Sequence, residues 1–206
     1  MLEYLVVDVR GTACPIPVVR TRDAMKSVKP LSVLVSQKDQ VDNVSRMAMR
    51  SGWNVTHRQE RDYHVVELIP SSAAVEPVAA PEDLVCSLPR TPNRPDRRLA
   101  VIASETMGRG DDRLGVILMK AYINTLKDLD RLPDTIIFYN GGVRLAVDDS
   151  PVLEALKELE EAGVEILVCG TCLDFFGLKD RLGVGVISNM FDIAGALMAE
   201  GISVIA

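Results

Sequence analysis

Residues 71–98 prevent any single core from running the length of this 206-residue chain. Pro77, Pro81, Pro89, Pro92 and Pro95 fall among alanine and serine clusters and mixed charges with no hydrophobic period, so the stretch reads as a linker of 28 residues. Its Cys86, in the short apolar run Leu84–Leu88, is assigned no chemistry. What remains must fold as two pieces, residues 1–70 and 99–206, each long enough for a core of its own. They differ in charge. The first holds ten Lys and Arg against eight Asp and Glu, a net +2, and the second nine against seventeen, a net −8.

The whole chain carries −6, which argues against a nucleic-acid partner. Its 48% hydrophobic and 25% charged residues are those of a globular protein. Met1-Leu2-Glu3-Tyr4 has no basic n-region, and no apolar run reaches the length of a membrane span, so a cytoplasmic location without a membrane partner is expected. Four cysteines, Cys14, Cys86, Cys169 and Cys172, are too few and too unevenly placed for a disulfide framework, which leaves reduced thiols as the reading. The two histidines, His57 and His64, lie in strand-like segments and offer little for a His base or a metal site. Neither a metal nor a cofactor is expected.

In the first piece, Leu2 to Val9 predicts a strand that Gly11 breaks, and a helix follows in which Val18, Thr21, Met25 and Val28 form the core face before Pro30. Leu31 to Ser36 predicts a buried strand. Val41, Val44 and Ala48 mark a second helix closed by Gly52, and Val55–Gln59 and His64–Ile69 complete a βαβαββ order. Between the first strand and helix stands Arg10-Gly11-Thr12-Ala13-Cys14-Pro15-Ile16-Pro17. A residue before proline is pushed into extended space, so Cys14 is expected as the N-cap and Pro15 as the first helical residue. The N–H groups of Ile16 and Val18 and the helix dipole would then favour a thiolate at Cys14. The alternative is a small buried cysteine at an ordinary helix start.

The motif Asp8-x-Arg10-Gly11-x-x-Cys14-Pro15-x-Pro17 and the βαβαββ order resemble the TusA/SirA family of sulfur-carrier proteins over residues 4–70. The resemblance implies a two-layer α/β sandwich and a persulfide on Cys14, with Arg10, Gly11, Pro15 and Pro17 shaping its turn. Thr12-Ala13 stands where a leucine and a variable residue are usual, and leaves the turn and the cysteine intact.

From Leu99 onward, strands over 99–103, 135–139, 164–169, 184–187 and 202–205 alternate with helices over 111–129, 151–162 and 190–200. Nearly continuous apolar strands separated by helices imply a doubly wound parallel sheet. Ligands bind such sheets beyond the carboxyl ends of the strands, so Met107–Asp111, Asn140-Gly141-Gly142, Cys169–Cys172 and Ser188-Asn189 are expected to converge. Gly108, Asn140, Gly141 and Gly142 are the candidate binding residues, the glycines at 141 and 142 read as a turn with positive φ. Arg113 occupies the third glycine position of a dinucleotide fingerprint, which therefore fails, and Asp111 and Asp112 read as helix N-terminal residues.

This second piece resembles the DsrE-like family, flavodoxin-like proteins some of which receive sulfur on a cysteine after an internal strand. Cys169 matches that position and Cys172 is additional. The fusion, with Met107–Asp112, Phe138–Val143 and Cys169–Leu173, resembles the YedF proteins associated with selenium metabolism. It implies a persulfide or perselenide carrier, sulfurtransferase-like in chemistry, with Cys14 as acceptor, a relay to Cys169 and Cys172, and protein partners that donate and accept the atom. For the cysteine pair, zinc binding, dithiol redox chemistry, chalcogen exchange and plain packing stay open, and self-association into a homo-oligomer is equally open. A function of another class competes: a binding or regulatory module whose cysteines only sense redox state.

Overall fold

Strand residues Leu31, Val33 and Val35 are fully buried while Ser32 and Leu34 between them are not, so one face of this strand is committed to a core. The computed structural model describes residues 4–71, 97–198 and, for the backbone alone, 202–205. The expected linker, apart from its ends, and Cys86 lie outside the described residues. The chain divides into one unit within Met1–Thr91 and another within Pro92–Ala206.

The first unit runs β1 (Leu5–Asp8), α1 (Ile16–Met25), β2 (Leu31–Val35), α2 (Lys38–Arg50), β3 (Trp53–Gln59) and β4 (His64–Pro70). Its sheet has the order β1-β2-β4-β3. A helical crossover makes β1 and β2 parallel, and the other pairings are antiparallel, with the hairpin turn closed by the Glu60 N–H to Tyr63 O. Val18, Thr21 and Met25 of α1 and Val41, Val44, Met47 and Ala48 of α2 are buried. Gly52, at φ 77°, takes the left-handed position just past α2.

The second unit runs β5 (Leu99–Ile102), α3 (Asp112–Leu126), β6 (Thr135–Phe138), α4 (Leu153–Glu161), β7 (Glu165–Cys169), α5 (Gly170–Phe175), β8 (Val186–Ser188), α6 (Met190–Leu197) and β9 (Ile202–Ile205). All five strands are parallel, in the order β8-β7-β6-β5-β9. The chain steps outward from β5 to β8 and then returns to the far side of β5. Right-handed crossovers therefore put α3 and α4 on one face of the sheet and α6 on the other, which is the doubly wound α/β arrangement. Every residue of β5 and β6 is buried, as strands covered on both faces require.

Several local expectations are corrected. Helix α1 stops at Met25 instead of reaching Pro30: the Ser27 and Val28 N–H groups bond back three residues, and Val28, at φ 53°, is exposed rather than on the core face. The residues after Cys169 form the short helix α5, not an open loop. Asn140–Ala146 is a tight 3-10 helix in which the positive φ belongs to Asn140, at 49°, and not to either glycine.

Phe138, with no exposed surface at the end of the central strand β6, is the largest fully buried side chain of the second unit. Its replacement by alanine is expected to cost about 3–5 kcal/mol. Urea unfolding followed through that unit should show a lower midpoint.

Candidate functional site

The Cys14 turn is fastened from three sides. The Gly11 N–H donates to Ser36 Oγ at 2.8 Å, the Thr12 N–H and hydroxyl both reach Val9 O, and Gln40 Nε2 donates to Thr12 O at 2.9 Å. Gln40 also accepts the Ser36 and Gln37 N–H groups at 3.0 and 3.2 Å, so the nearly buried side chain that caps α2 also grips the loop before Cys14. Gln40 was not among the residues singled out from the sequence. Its signal there is the Gln37-x-x-Gln40 spacing of a reciprocal cap.

Cys14 itself stands one residue farther from the helix than expected. The N-cap is Pro15, the helix begins at Ile16, and Pro17 sits in its first turn where its missing N–H costs nothing. The Cys14–Pro15 peptide is cis, and the Ile16 N–H is bonded to Ala13 O at 3.0 Å, closing the turn across the cysteine. That N–H is therefore not directed at the sulfur. Cys14 remains half-buried, with Gly11 supplying the positive φ, 69°, that breaks the strand before it.

Arg10 does not touch the turn's interior. It makes a bidentate pair with Asp8, at 2.9 and 2.6 Å, and its guanidinium lies 4.8 Å over the Tyr63 ring. The Arg10 hydrogen bonds hold the Asp8 carboxyl down to about 2 from an ordinary 3.8. Because the folded value is the lower one, the contact is complete above the ordinary value and is lost as pH falls through about 2.

In the second unit, Cys169 ends β7 and is the N-cap of α5, fully buried in the core. Cys172 follows within the first turn and is half-buried. Its Sγ accepts the Asn140 N–H at 3.1 Å. Burial, and then the Cys172 side chain within hydrogen-bonding reach, push the Cys169 thiol up to about 12. Ser188 pairs with Cys169 in the sheet register, and its buried Oγ has no hydrogen-bond partner.

The Asn140 amide reaches the sulfur because the segment behind it is pinned. Gly142 donates its N–H to Ala103 O at 3.2 Å, and a Cβ there would stand 2.2 Å from Ile102 O. Gly141 carries no such restriction, its nearest atom being 3.8 Å away. Arg144 pairs with Glu105 at 2.9 Å and lies 4.4 Å over the ring of Phe176, one helical turn beyond Cys172. Glu105, Arg144 and Phe176 line part of a cleft of about 460 Å³ with Lys120, Pro151 and Arg181, a cleft whose lining does not include Asn140 or the cysteines.

Of the four expected segments, Asn140–Gly142 and Cys169–Cys172 are joined by the Asn140 N–H bond to Cys172, and Ser188 pairs with Cys169 in register; after β5 the contacts are made by Ala103 and Glu105, not by Met107–Asp111. Gly108 instead serves the turn into α3, at φ 80°, ahead of Asp111, whose side chain caps that helix by accepting the Arg113 and Leu114 N–H groups. Among the described residues no group of three or more His, Cys, Asp or Glu side chains is placed to hold a metal ion. No helix among them is long and apolar enough to cross a membrane.

Two outcomes check this geometry. Gly142→Ala should destabilise the second unit by about 1–3 kcal/mol, because backbone must move, while Gly141→Ala should fall within about 0.5 kcal/mol of the parent in urea unfolding. The Asp8 carboxyl should titrate by NMR near 2, returning toward 3.8 in Arg10→Ala.

Residues 5–69 match the family profile described as sulfurtransferase TusA, and residues 99–206 match that of the DsrE/DsrF-like family. No curated protein matches the chain. Among solved structures, a SirA-like protein from Desulfitobacterium hafniense is 25% identical, covering 31% of this chain and 93% of its own, with a TM-score of 0.30. A protein of unknown function from Methanobacterium thermoautotrophicum is 23% identical over 53% of this chain and 99% of its own, with a TM-score of 0.39. The ychN protein from E. coli is 17% identical over 53% and 98%, with a TM-score of 0.41. With more than half its length matched by that second profile and a TusA-like domain ahead of it, the chain belongs to the DsrE/DsrF-like family and combines two domain types of sulfur trafficking.

Proposed function

We propose that this protein carries sulfur or selenium as a persulfide or perselenide on Cys14 and exchanges it with the cysteine pair of its second unit. The observation that carries the reading is the half-exposed Cys14 on a turn that Ser36, Gln40 and Val9 hold, inside a domain of the TusA type. A carrier thiol needs access for a protein donor and a fixed position for attack, and that turn offers both. Loading requires no metal or oxidant. The Cys14 thiolate attacks the outer chalcogen of a donor persulfide, a new bond forms to that atom, and the donor leaves as a thiolate.

Passage to the second unit is the same exchange repeated with Cys14 as the leaving thiolate. Partners of the protein are accordingly a chalcogen-donating protein and an accepting one. The cytoplasm, where thiols stay reduced, suits such chemistry. The association with selenium comes from the YedF resemblance of the fused architecture.

The test is the intact mass of the full chain after incubation with a cysteine or selenocysteine lyase and its substrate. A gain of one sulfur or selenium atom on Cys14 is expected, and it should vanish in Cys14→Ser. Full-yield gain in a folded Cys14→Ser protein would rule out Cys14 as first acceptor.

A further inference from the structure

Burial separates the two thiols of the second unit. Cys169 has no exposed surface and is part of the core, whereas Cys172 is half-buried and its sulfur takes the Asn140 N–H at 3.1 Å. We infer that Cys172 is the sulfur that receives the chalcogen in the second unit, and that Cys169 is a positioning residue which remains a thiol and donates its S–H to the Cys172 sulfur. This deepens the carriage reading above and rests on it. It reverses the order implied by the match of Cys169 to the family's acceptor position.

Access decides the first half. An outer chalcogen can be transferred only if the attacking sulfur approaches along the donor's S–S axis, and a fully buried side chain offers no such approach. Cys172 is reachable. A backbone N–H aimed at its sulfur holds that sulfur in place for attack.

The second half follows from where Cys169 sits. Cys169 is held as N-cap of α5 at the end of β7, three residues before Cys172, and Gly142 fixes the segment that carries Asn140. The charged side chains on the elements packed against α5 answer other charges. Arg144 pairs with Glu105, Lys179 with Asp174 on α5 itself, Arg181 with Asp149, and Glu165 of β7 with Arg97, while Asp180 is an anion on the same 3-10 turn as Lys179. The Asn140 N–H is the donor the structure places at the Cys172 sulfur, and Cys169 stands three residues before it at the helix N-cap. With its thiol pushed up to about 12, Cys169 keeps its proton near neutrality. A protonated Cys169 is not the thiolate that could attack a Cys172 persulfide. The load persists instead of collapsing to a disulfide with release of sulfide.

The transfer balances without a further reactant. The Cys172 thiolate bonds to the outer sulfur of a persulfide R–S–SH, the donor S–S bond breaks, and R–S⁻ departs with the electron pair, leaving Cys172–S–SH.

The experiment uses the full chain carrying Cys14→Ser and Cys86→Ser, with inorganic polysulfide as the probe, iodoacetamide as the quench and non-reducing peptide mass spectrometry as the readout. One extra sulfur is expected on Cys172, absent in Cys172→Ser and retained in Cys169→Ala. Separately, the pH midpoint of Cys172 alkylation should rise in Cys169→Ala, slowing alkylation several-fold at neutral pH, and Cys169→Ser should restore it through its hydroxyl donor. Label retained in Cys172→Ser but lost in Cys169→Ala would overturn the assignment. So would a Cys169–Cys172 disulfide formed with released sulfide, or an alkylation midpoint indifferent to Cys169→Ala. A parent chain that takes no label on this peptide, although free Cys172 alkylates, would instead remove the second unit from chalcogen carriage altogether.

Discussion

Between the peptide of Ile102 and the α-carbon of Gly142 there is no room for a single methyl group, and the cysteine site of the second unit depends on that approach. The Gly142 N–H bonds Ala103 O, which ties the segment after β6 to the end of β5. Asn140, two residues back in a left-handed conformation, then presents its amide to a sulfur that arrives on α5 from the end of β7. Three strand ends meet, two through main chain and the third through a cysteine sulfur. The parallel sheet makes this feasible, since β5, β6 and β7 are adjacent and all point their carboxyl ends the same way.

The architecture was legible in the sequence because periodicity reports burial. Leu31–Val35 alternates as a one-sided strand, Ile136–Phe138 is apolar throughout as a two-sided one, and the helices between them carry apolar stripes. Cys14 was legible as a residue, but its local geometry was not. Proline limits backbone angles without fixing which turn precedes a helix, and the Ile16 to Ala13 bond settles that by closing one residue early. Gly142 carried a signal in its identity and a misleading explanation: the reason for glycine is close approach, and the left-handed residue is Asn140. Gln40 was hidden because its amide serves partners far apart in sequence, Thr12 as well as Ser36.

The two thiol sites solve a common problem differently. Around Cys14 the hydrogen bonds hold the neighbouring backbone, at Gly11 and Thr12, and a turn closes over the cysteine. At Cys172 a bond is made to the sulfur itself. Both arrangements fix where a sulfur stands.

Among the described residues the four-stranded sheet of the first unit ends at β1 and β3, and the Cys14 turn leaves from β1. An edge strand is a template for any unpaired strand that passes. Here β1 has only four residues before Asp8 and Arg10 close on each other. On the opposite edge β3 ends in His57, Arg58 and Gln59, all exposed, with Arg58 paired to Glu60 and Glu67. A short edge on one side and a charged strand end on the other limit pairing with a passing strand.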